Sequence, residues 1–165
     1  MLPSSFRFGA YFIYNSDVWL IIYFSDRTEH LKYFLMYMHK ILQRQEIEYQ
    51  IYVVNQVDAN PFNRAKLLNV GFIEALKQYD WECFVFHDVD LSEYNGSVVA
   101  TILIVFPLVL ENDKCLYRCP EMPRHMSVAI DKYKYRLPYY SIFGGITSMT
   151  VEHMVALNGY RYVMK

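Results

Sequence analysis

The sequence predicts an α/β fold, a mostly parallel, Rossmann-like sheet with helices packed on its faces. Three observations carry this. Short runs rich in apolar, β-branched and aromatic residues, at residues 18–24, 50–55 and 83–86, read as buried strands. Between them lie segments with apolar residues at helical spacing. The order strand, helix, strand, helix, strand puts consecutive strands in parallel with the helices as crossovers.

The elements follow in order. Val18 to Phe24 is the first strand. Asp26, with Glu29 three residues on, forms a capping-box-like start. Leu31, Phe34, Leu35, Met38 and Leu42 then line one side of an amphipathic helix running to about Gln45. Residues 50–55 are the second strand. The second helix spans residues 63–79, with Ala65, Leu68, Phe72 and Leu76 on one face and Asn63 as a candidate cap. The third strand, 83–86, runs straight into His87-Asp88-Val89-Asp90. Residues 127–130 and 139–147 read as further strands, the second broken by Gly144-Gly145. Residues 151–158 form a short helix closing at Gly159. Residues 18–159 read as one domain, preceded by an atypical N-terminal segment, 1–17, to which no element is assigned.

Residues 92–110 follow neither periodicity. They hold the glycosylation sequon Asn95-Gly96-Ser97 and then an apolar run broken by Pro107. That run is shorter than the ~20 residues a spanning helix needs.

Composition narrows the function. The 165 residues are 54% hydrophobic and 20% charged, which suits a packed domain, and the net charge of -1 gives no footprint for nucleic acid. Cys83, Cys115 and Cys119 fit no zinc spacing and permit one disulfide beside one free thiol. No signal peptide is evident in residues 1–17.

Ligands of such sheets bind beyond the carboxyl ends of the strands, where Asp88-Val89-Asp90 stands. Residues two apart in an extended segment point to one side, so two carboxylates there suit a divalent ion that neutralises a departing diphosphate. The plainer reading is a solvated turn. Phe62-Asn63-Arg64 opens the second helix, where anions are favoured and Arg64 is within reach of a phosphate; Arg64 also reads as an ordinary surface charge. Gly144-Gly145 allows close backbone approach, for a sugar or simply for a bulge. Lys132, on local pattern, is a solvated strand-end charge. His30, His39, His87, His125 and His153 show no metal-ligand spacing, and the methionines read as core filler.

Taken together, several stretches resemble the β-1,4-galactosyltransferase family. They are Glu29-His30-Leu31-Lys32, Leu42-Gln43-Arg44-Gln45, Ile51-Tyr52-Val53-Val54-Asn55-Gln56 and Phe62-Asn63-Arg64-Ala65-Lys66-Leu67-Leu68-Asn69-Val70-Gly71. Cys83-Phe84-Val85-Phe86-His87-Asp88-Val89-Asp90-Leu91, Pro123-Arg124-His125-Met126-Ser127-Val128-Ala129 and Phe143-Gly144-Gly145 continue the likeness. The resemblance implies a GT-A type nucleotide-sugar-binding fold and a manganese ion. It implies transfer, with inversion, of galactose or N-acetylgalactosamine from UDP-galactose or UDP-N-acetylgalactosamine to a terminal N-acetylglucosamine of a glycan. It makes Asp90 a metal ligand, and Phe24, Arg27, Phe62, Arg64, Asp88, Val89 and Lys132 nucleotide- or phosphate-contacting residues. Ile142 and Gly145 fall to the donor sugar. Cys83 and Cys119 match a family disulfide, and the family's place is the Golgi lumen or membrane.

Departures from the family shape further expectations. One arginine of the family's motif after the first strand is lost in Tyr23-Phe24-Ser25-Asp26-Arg27. Ile142 stands where galactose-transferring members often carry tyrosine and where invertebrate N-acetylgalactosaminyltransferases carry a smaller aliphatic residue, and these are the members it resembles most. The family pattern continues past Asn158-Gly159 into a Trp-Gly-Trp-Gly-Gly-Glu-Asp-Asp segment that carries the catalytic base. The base is therefore expected beyond Lys165, and residues 1–165 alone are expected to show no sugar transfer and only weakened manganese binding; no membrane anchor is seen among them. A non-catalytic remnant with weak nucleotide-sugar binding is the alternative. An unrelated dinucleotide binder is disfavoured, because no Gly-x-Gly-x-x-Gly follows the first strand.

Residues 92–110 replace a much shorter stretch in the family and read as foreign to the fold. An apolar run inserted beside a polar site favours aggregation. Deleting about this stretch is expected to raise soluble yield, and a fall in yield would count against a foreign insert.

Overall fold

The computed structural model describes residues 6–11, 18–24, 28–57, 60–89, 116–119, 121–127, 134 and 136–161. Arg27, Asp90, Cys115, Lys132, the capping residue Asp26 and the whole of 92–110 lie outside them. The elements are β1 (Phe6–Tyr11), β2 (Val18–Phe24), α1 (Thr28–Arg44), β3 (Tyr49–Gln56), α2 (Arg64–Leu76), β4 (Cys83–Asp88), β5 (Arg124–His125), β6 (Ile146–Thr150) and α3 (Val151–Ala156).

The three apolar runs pair as the alternation requires. β2 lies between β3 and β4 and is parallel to both, from Val18 opposite Tyr49 to Phe24 opposite Asn55, and from Val18 opposite Cys83 to Tyr23 opposite Asp88. Successive strand residues point to opposite faces, and here both faces are covered. Ile21, Tyr52, Val54, Phe84 and Phe86 pack with Leu67, Leu68, Phe72 and Ala75 of α2. Their neighbours Ile22, Tyr49, Ile51 and Val85 pack with Phe34, Met38, Ile41 and Leu42 of α1. Such double burial is why these strands read as continuous apolar runs instead of alternating ones. Gly71 lets α2 sit close: a Cβ there would lie 2.6 Å from Ile21 Cγ2.

The outer strands run the other way. The sheet order is β1-β3-β2-β4-β6-β5, with β1 antiparallel to β3, β6 antiparallel to β4, and β5 antiparallel to β6. The sheet is thus parallel at its centre and mixed overall. Four details differ from the sequence reading. Phe6–Tyr11, in the N-terminal segment, forms an edge strand. Residues 139–145 are not strand, and β6 starts only at Ile146, because Gly145 at φ 78° turns the chain out of extended geometry. On its far side from β4, β6 pairs with the two-residue β5 at Arg124–His125; Ser127 lies outside any strand, and 128–130 lie outside the described residues. Helix α2 also stops at Leu76, short of Tyr79, and the Tyr52 hydroxyl donates to Gln78 Oε1 in the turn that follows.

Cys83 and Cys119, 36 positions apart in sequence, form a disulfide with Cα atoms 5.3 Å apart. Closing a loop of that length is worth roughly 3–4 kcal/mol in the chain-entropy account. The bond ties the start of β4 to the 116–119 segment. Arg124 holds the same segment, donating from Nη2 to the carbonyls of Leu116 (2.6 Å) and Arg118 (3.1 Å).

Helix α3 is short and firmly capped. Thr150 Oγ1 accepts from the His153 N–H, and His153 Nδ1 accepts from the Thr150 N–H, a reciprocal box in which histidine takes the usual glutamate's place. After it, Asn158 and Gly159 adopt φ 54° and 71°, and the Gly159 N–H donates back to the Met154 carbonyl. This turn delivers Tyr160 to α2. Asn69 grips its backbone at both ends, donating from Nδ2 to the Tyr160 carbonyl (2.9 Å) and accepting from its N–H (2.8 Å). The Tyr160 ring meets Phe86 at 5.1 Å, and its hydroxyl pairs with Thr147 Oγ1 at 2.8 Å.

Burial pushes the Tyr160 phenol up to about 12, against a smaller opposing effect of the Thr147 hydrogen bond. A tyrosine whose folded pKa exceeds the unfolded ~10 stabilises fully below pH ~10 and loses that contribution as pH rises through the folded value. Tyr160→Phe removes one hydrogen bond, costing about 1 kcal/mol at neutral pH. It also removes this group's share of the alkaline loss. Urea unfolding of both proteins is expected to show the gap narrowing between pH 9 and pH 11. A gap of constant size would show that Tyr160 carries no such linkage.

Candidate functional site

The site forms where β3 and β4 end and α2 begins. Asp88 is the last residue of β4, so its main chain still pairs in the sheet while its side chain reaches the strand's end. Arg64 is the first residue of α2. Asn63 fixes that start, its Oδ1 accepting from the Lys66 N–H at 3.0 Å. The two then meet: Arg64 Nη2 lies 3.0 Å from Asp88 Oδ1, with the arginine side chain 42% exposed and the aspartate 20%. A carboxylate so far withdrawn from water needs a partner of opposite charge, and Arg64 supplies it.

The glycine turn closes over this pair. The Asp88 N–H donates to the Gly145 carbonyl at 3.0 Å, fastening the turn to the end of β4. A Cβ built on Gly144 would lie 3.6 Å from the Arg64 guanidinium, so the backbone here runs against the arginine head. The Gly144 carbonyl is held from the other side. Ser127 Oγ donates to it at 2.7 Å and His125 Nε2 at 2.8 Å, while Ser127 Oγ accepts from the Ile146 N–H. His125 and Ser127 therefore set the height of the turn over the pair.

The remaining predicted residues fall around this centre. Phe62, two residues before Arg64, leaves its ring 46% exposed. Ile142 lies half-buried in the turn before Phe143, outside any strand, its N–H donating to the Tyr139 carbonyl. Val89 turns its side chain into the α1-side core, 4% exposed, so only its main chain faces the site. Phe24 ends β2 opposite Asn55 of β3. Arg27, Lys132 and Asp90 lie outside the described residues. Beside the glycine turn, an open concavity of about 510 Å³ lies between Phe143, Met154, Leu157 and Tyr160.

His87 is a core residue. It is 3% exposed, donates from Nδ1 to the Asp88 carbonyl at 2.7 Å, stacks on Tyr117 and meets Phe34 edge-on. Its imidazole stiffens the strand end beneath Asp88 and is turned away from Arg64. Among the described residues no group of three or more His, Cys, Asp or Glu is placed to hold a metal ion.

Sequence reasoning missed Gln56, Asn69, His125, Ser127 and Tyr160 as parts of this assembly. Asn69 reaches Tyr160 across 91 residues, and no local pattern announces such a contact. Gln56 carried a usable signal: a polar residue ending a buried strand must spend its amide somewhere close.

The arrangement matches known proteins. A family model described as the N-terminal region of glycosyl transferase group 7 matches residues 13–101, and a second, the N-terminal domain of galactosyltransferase, matches residues 124–164. The chain is 50% identical to β-1,4-galactosyltransferase 1 of Bos taurus over 141 residues, and 49% identical to that of Homo sapiens. It is 44% identical to β-1,4-galactosyltransferase 5 of Sus scrofa. The alignments with the first two take in 86% of this chain and 31% of each relative, so the chain spans about a third of the length of the curated relatives it matches. In solved structures it resembles the catalytic domain of Drosophila β-1,4-galactosyltransferase 7 in complex with xylobiose, with a TM-score of 0.62, 31% identity, and coverage of 88% of this chain and 53% of that one. A mutant of that Drosophila enzyme, in complex with manganese, UDP-Gal and xylobiose, aligns with a TM-score of 0.64 at 29% identity over 91% of this chain and 57% of that one. Both matches are to catalytic domains of the GT-A kind, and the chain belongs to glycosyl transferase group 7, the family of the β-1,4-galactosyltransferases.

Proposed function

We propose that this chain forms the donor-binding part of an inverting transferase that moves galactose or N-acetylgalactosamine from a UDP-sugar to a terminal N-acetylglucosamine. The observation that carries the reading is the Arg64–Asp88 pair beneath Gly144-Gly145, at the carboxyl ends of parallel strands. A nucleotide diphosphate needs a cation at its phosphates, an apolar face for its base and a close backbone for its sugar. Arg64 offers the first, the exposed ring of Phe62 the second, and the glycine turn the third.

In this reading the arginine shares its donors between Asp88 and the donor diphosphate and stabilises charge as the UDP leaves. Asp88 keeps the guanidinium oriented between turnovers. Phe24, Arg27, Val89 and Lys132 complete the nucleotide contacts, and Ile142 and Gly145 border the sugar. Manganese belongs to the proposal through Asp90; bound there, it would supply charge neutralisation at the diphosphate. The described residues alone bring one carboxylate, Asp88, to the place, already paired with Arg64, and so do not by themselves make a metal centre. The Cys83–Cys119 disulfide suits an oxidising compartment and supports a Golgi lumen setting.

Calorimetric titration of the chain with UDP, with and without Mn²⁺, tests this. Binding is expected, and Arg64→Ala should weaken it roughly tenfold to hundredfold, the worth of a charge-assisted hydrogen bond. Absence of UDP binding by the wild type in Mn²⁺, or equal affinity of the two proteins, overturns the reading.

The donor sugar is the finer point. Replacing a tyrosine ring by the Ile142 side chain leaves room at the sugar's 2-position and an apolar wall for an acetyl methyl. A pocket difference of this kind is worth ~1–3 kcal/mol, enough to reverse a preference. A transfer-competent protein containing this chain is therefore expected to favour UDP-N-acetylgalactosamine, and Ile142→Tyr to swing it toward UDP-galactose. Competition of the two donors for one N-acetylglucosamine acceptor measures it; faster galactose transfer by the protein with Ile142 would contradict it.

A further inference from the structure

We propose that Gln56 is a positioning residue for the nucleotide site, its buried carboxamide holding the Asn60–Asn63 loop so that Phe62 and Arg64 are aimed together. The proposal rests on the reading of Phe62 and Arg64 as nucleotide contacts and extends it to a residue that touches no ligand.

The geometry is specific. Gln56 is the last residue of β3 and is 7% exposed. Its Nε2 donates to the carbonyls of Asn60 (3.0 Å) and Pro61 (3.3 Å), and its Oε1 accepts from the Asn63 N–H at 2.9 Å. One side chain thus reads three backbone groups on both sides of Phe62. A loop carrying Pro61 has no ladder to join, and its polar backbone groups near the sheet end must be satisfied by something. Gln56 does this from the rigid end of a central strand. Asn63 is then the common node: its N–H is held by Gln56 and its side chain caps α2, while the next residue is Arg64. Phe62 is 46% exposed, and its main chain lies between the groups that Gln56 holds.

Both hydrogen-bond senses are needed. Asparagine is one methylene too short. Glutamate keeps an acceptor for Asn63 but sets a carboxylate against two carbonyl oxygens. Methionine keeps the length and loses every hydrogen bond. The role therefore predicts that Gln56→Glu and Gln56→Met both loosen the loop, whereas a small core change at Ile41, in α1 on the opposite side of the sheet, does not.

Two measurements on the full chain separate the outcomes. Amide hydrogen exchange without ligand reads the clamp, and calorimetric titration with UDP and Mn²⁺ reads its consequence, for wild type, Gln56→Glu, Gln56→Met and the control Ile41→Val. Each Gln56 variant is expected to exchange the amides of the loop around Phe62 at least several-fold faster, Gln56→Met at Asn63 as well, and to bind UDP about tenfold more weakly, the scale of one lost buried hydrogen bond. Ile41→Val should lower the melting temperature with UDP affinity intact. Unchanged exchange at Asn63 in Gln56→Met overturns the clamp itself. Faster exchange with unchanged UDP affinity overturns the positioning role. A loss of affinity in Ile41→Val equal to that of the Gln56 variants shows that general destabilisation is the cause and also overturns it. A wild type that binds no UDP while the clamp shows in exchange overturns the nucleotide reading and, with it, any role for Gln56 beyond folding.

Discussion

A carboxylate at the end of a buried strand is the constraint around which this structure is arranged. β4 is core from Cys83 to His87, and the next residue, Asp88, is charged and only 20% exposed. Withdrawing that charge from water is costly unless an opposite charge meets it. The partner is Arg64, and Arg64 arrives only because α2 starts where it does. That start depends on Asn63 as cap and on Gln56 beneath the preceding loop. The glycine turn is bound to the same residue through the Asp88 N–H. One ion pair therefore relates the end of β3, the start of α2, the end of β4 and the approach to β6.

How the sequence announces these parts depends on the range of the forces involved. The central strands were legible because burial on both faces leaves an unbroken apolar run, and α1 because its core stripe keeps helical spacing. The Asn63 cap was legible because capping is local, spanning three residues. β1 was not, because an edge strand owes its place to the neighbour it pairs with, here β3, more than to its own pattern. The strand read across 139–147 began too early for a related reason. Tyr139, Tyr140 and Ile142 have strand-like side chains, yet they lie in a turn whose course is set by hydrogen bonds from Ser127 and His125 to Gly144.

The candidate site divides the same way. Asp88, Arg64, Phe62 and the glycine pair could be named from motifs, since each sits at the end of an element or in a turn. What motifs could not supply was their mutual geometry. That geometry comes from residues reaching across long stretches of chain, Asn69 to Tyr160 and the Cys83–Cys119 bond among them. Each removes a freedom the pair's surroundings would otherwise have. Tyr160 shows the overlap most clearly: its ring packs on Phe86, its phenol meets Thr147 of β6, and it lies close enough to Arg64 and Asp88 for both charges to act on it.

The choice of arginine over lysine at position 64 follows from this crowding. An ammonium is a single point of charge, and one engaged with Asp88 would have to leave it to serve a phosphate. A guanidinium presents five N–H donors in a planar fork, so one edge can stay on the carboxylate while the other faces outward. Arg64 has Nη2 3.0 Å from Asp88 Oδ1 while its side chain is still 42% exposed. In the proposed reading, Asp88 would therefore not compete with a diphosphate for the whole cation. Asp88 and the Gly144 backbone together fix where the guanidinium lies, so in the proposed reading its orientation is set before any ligand arrives.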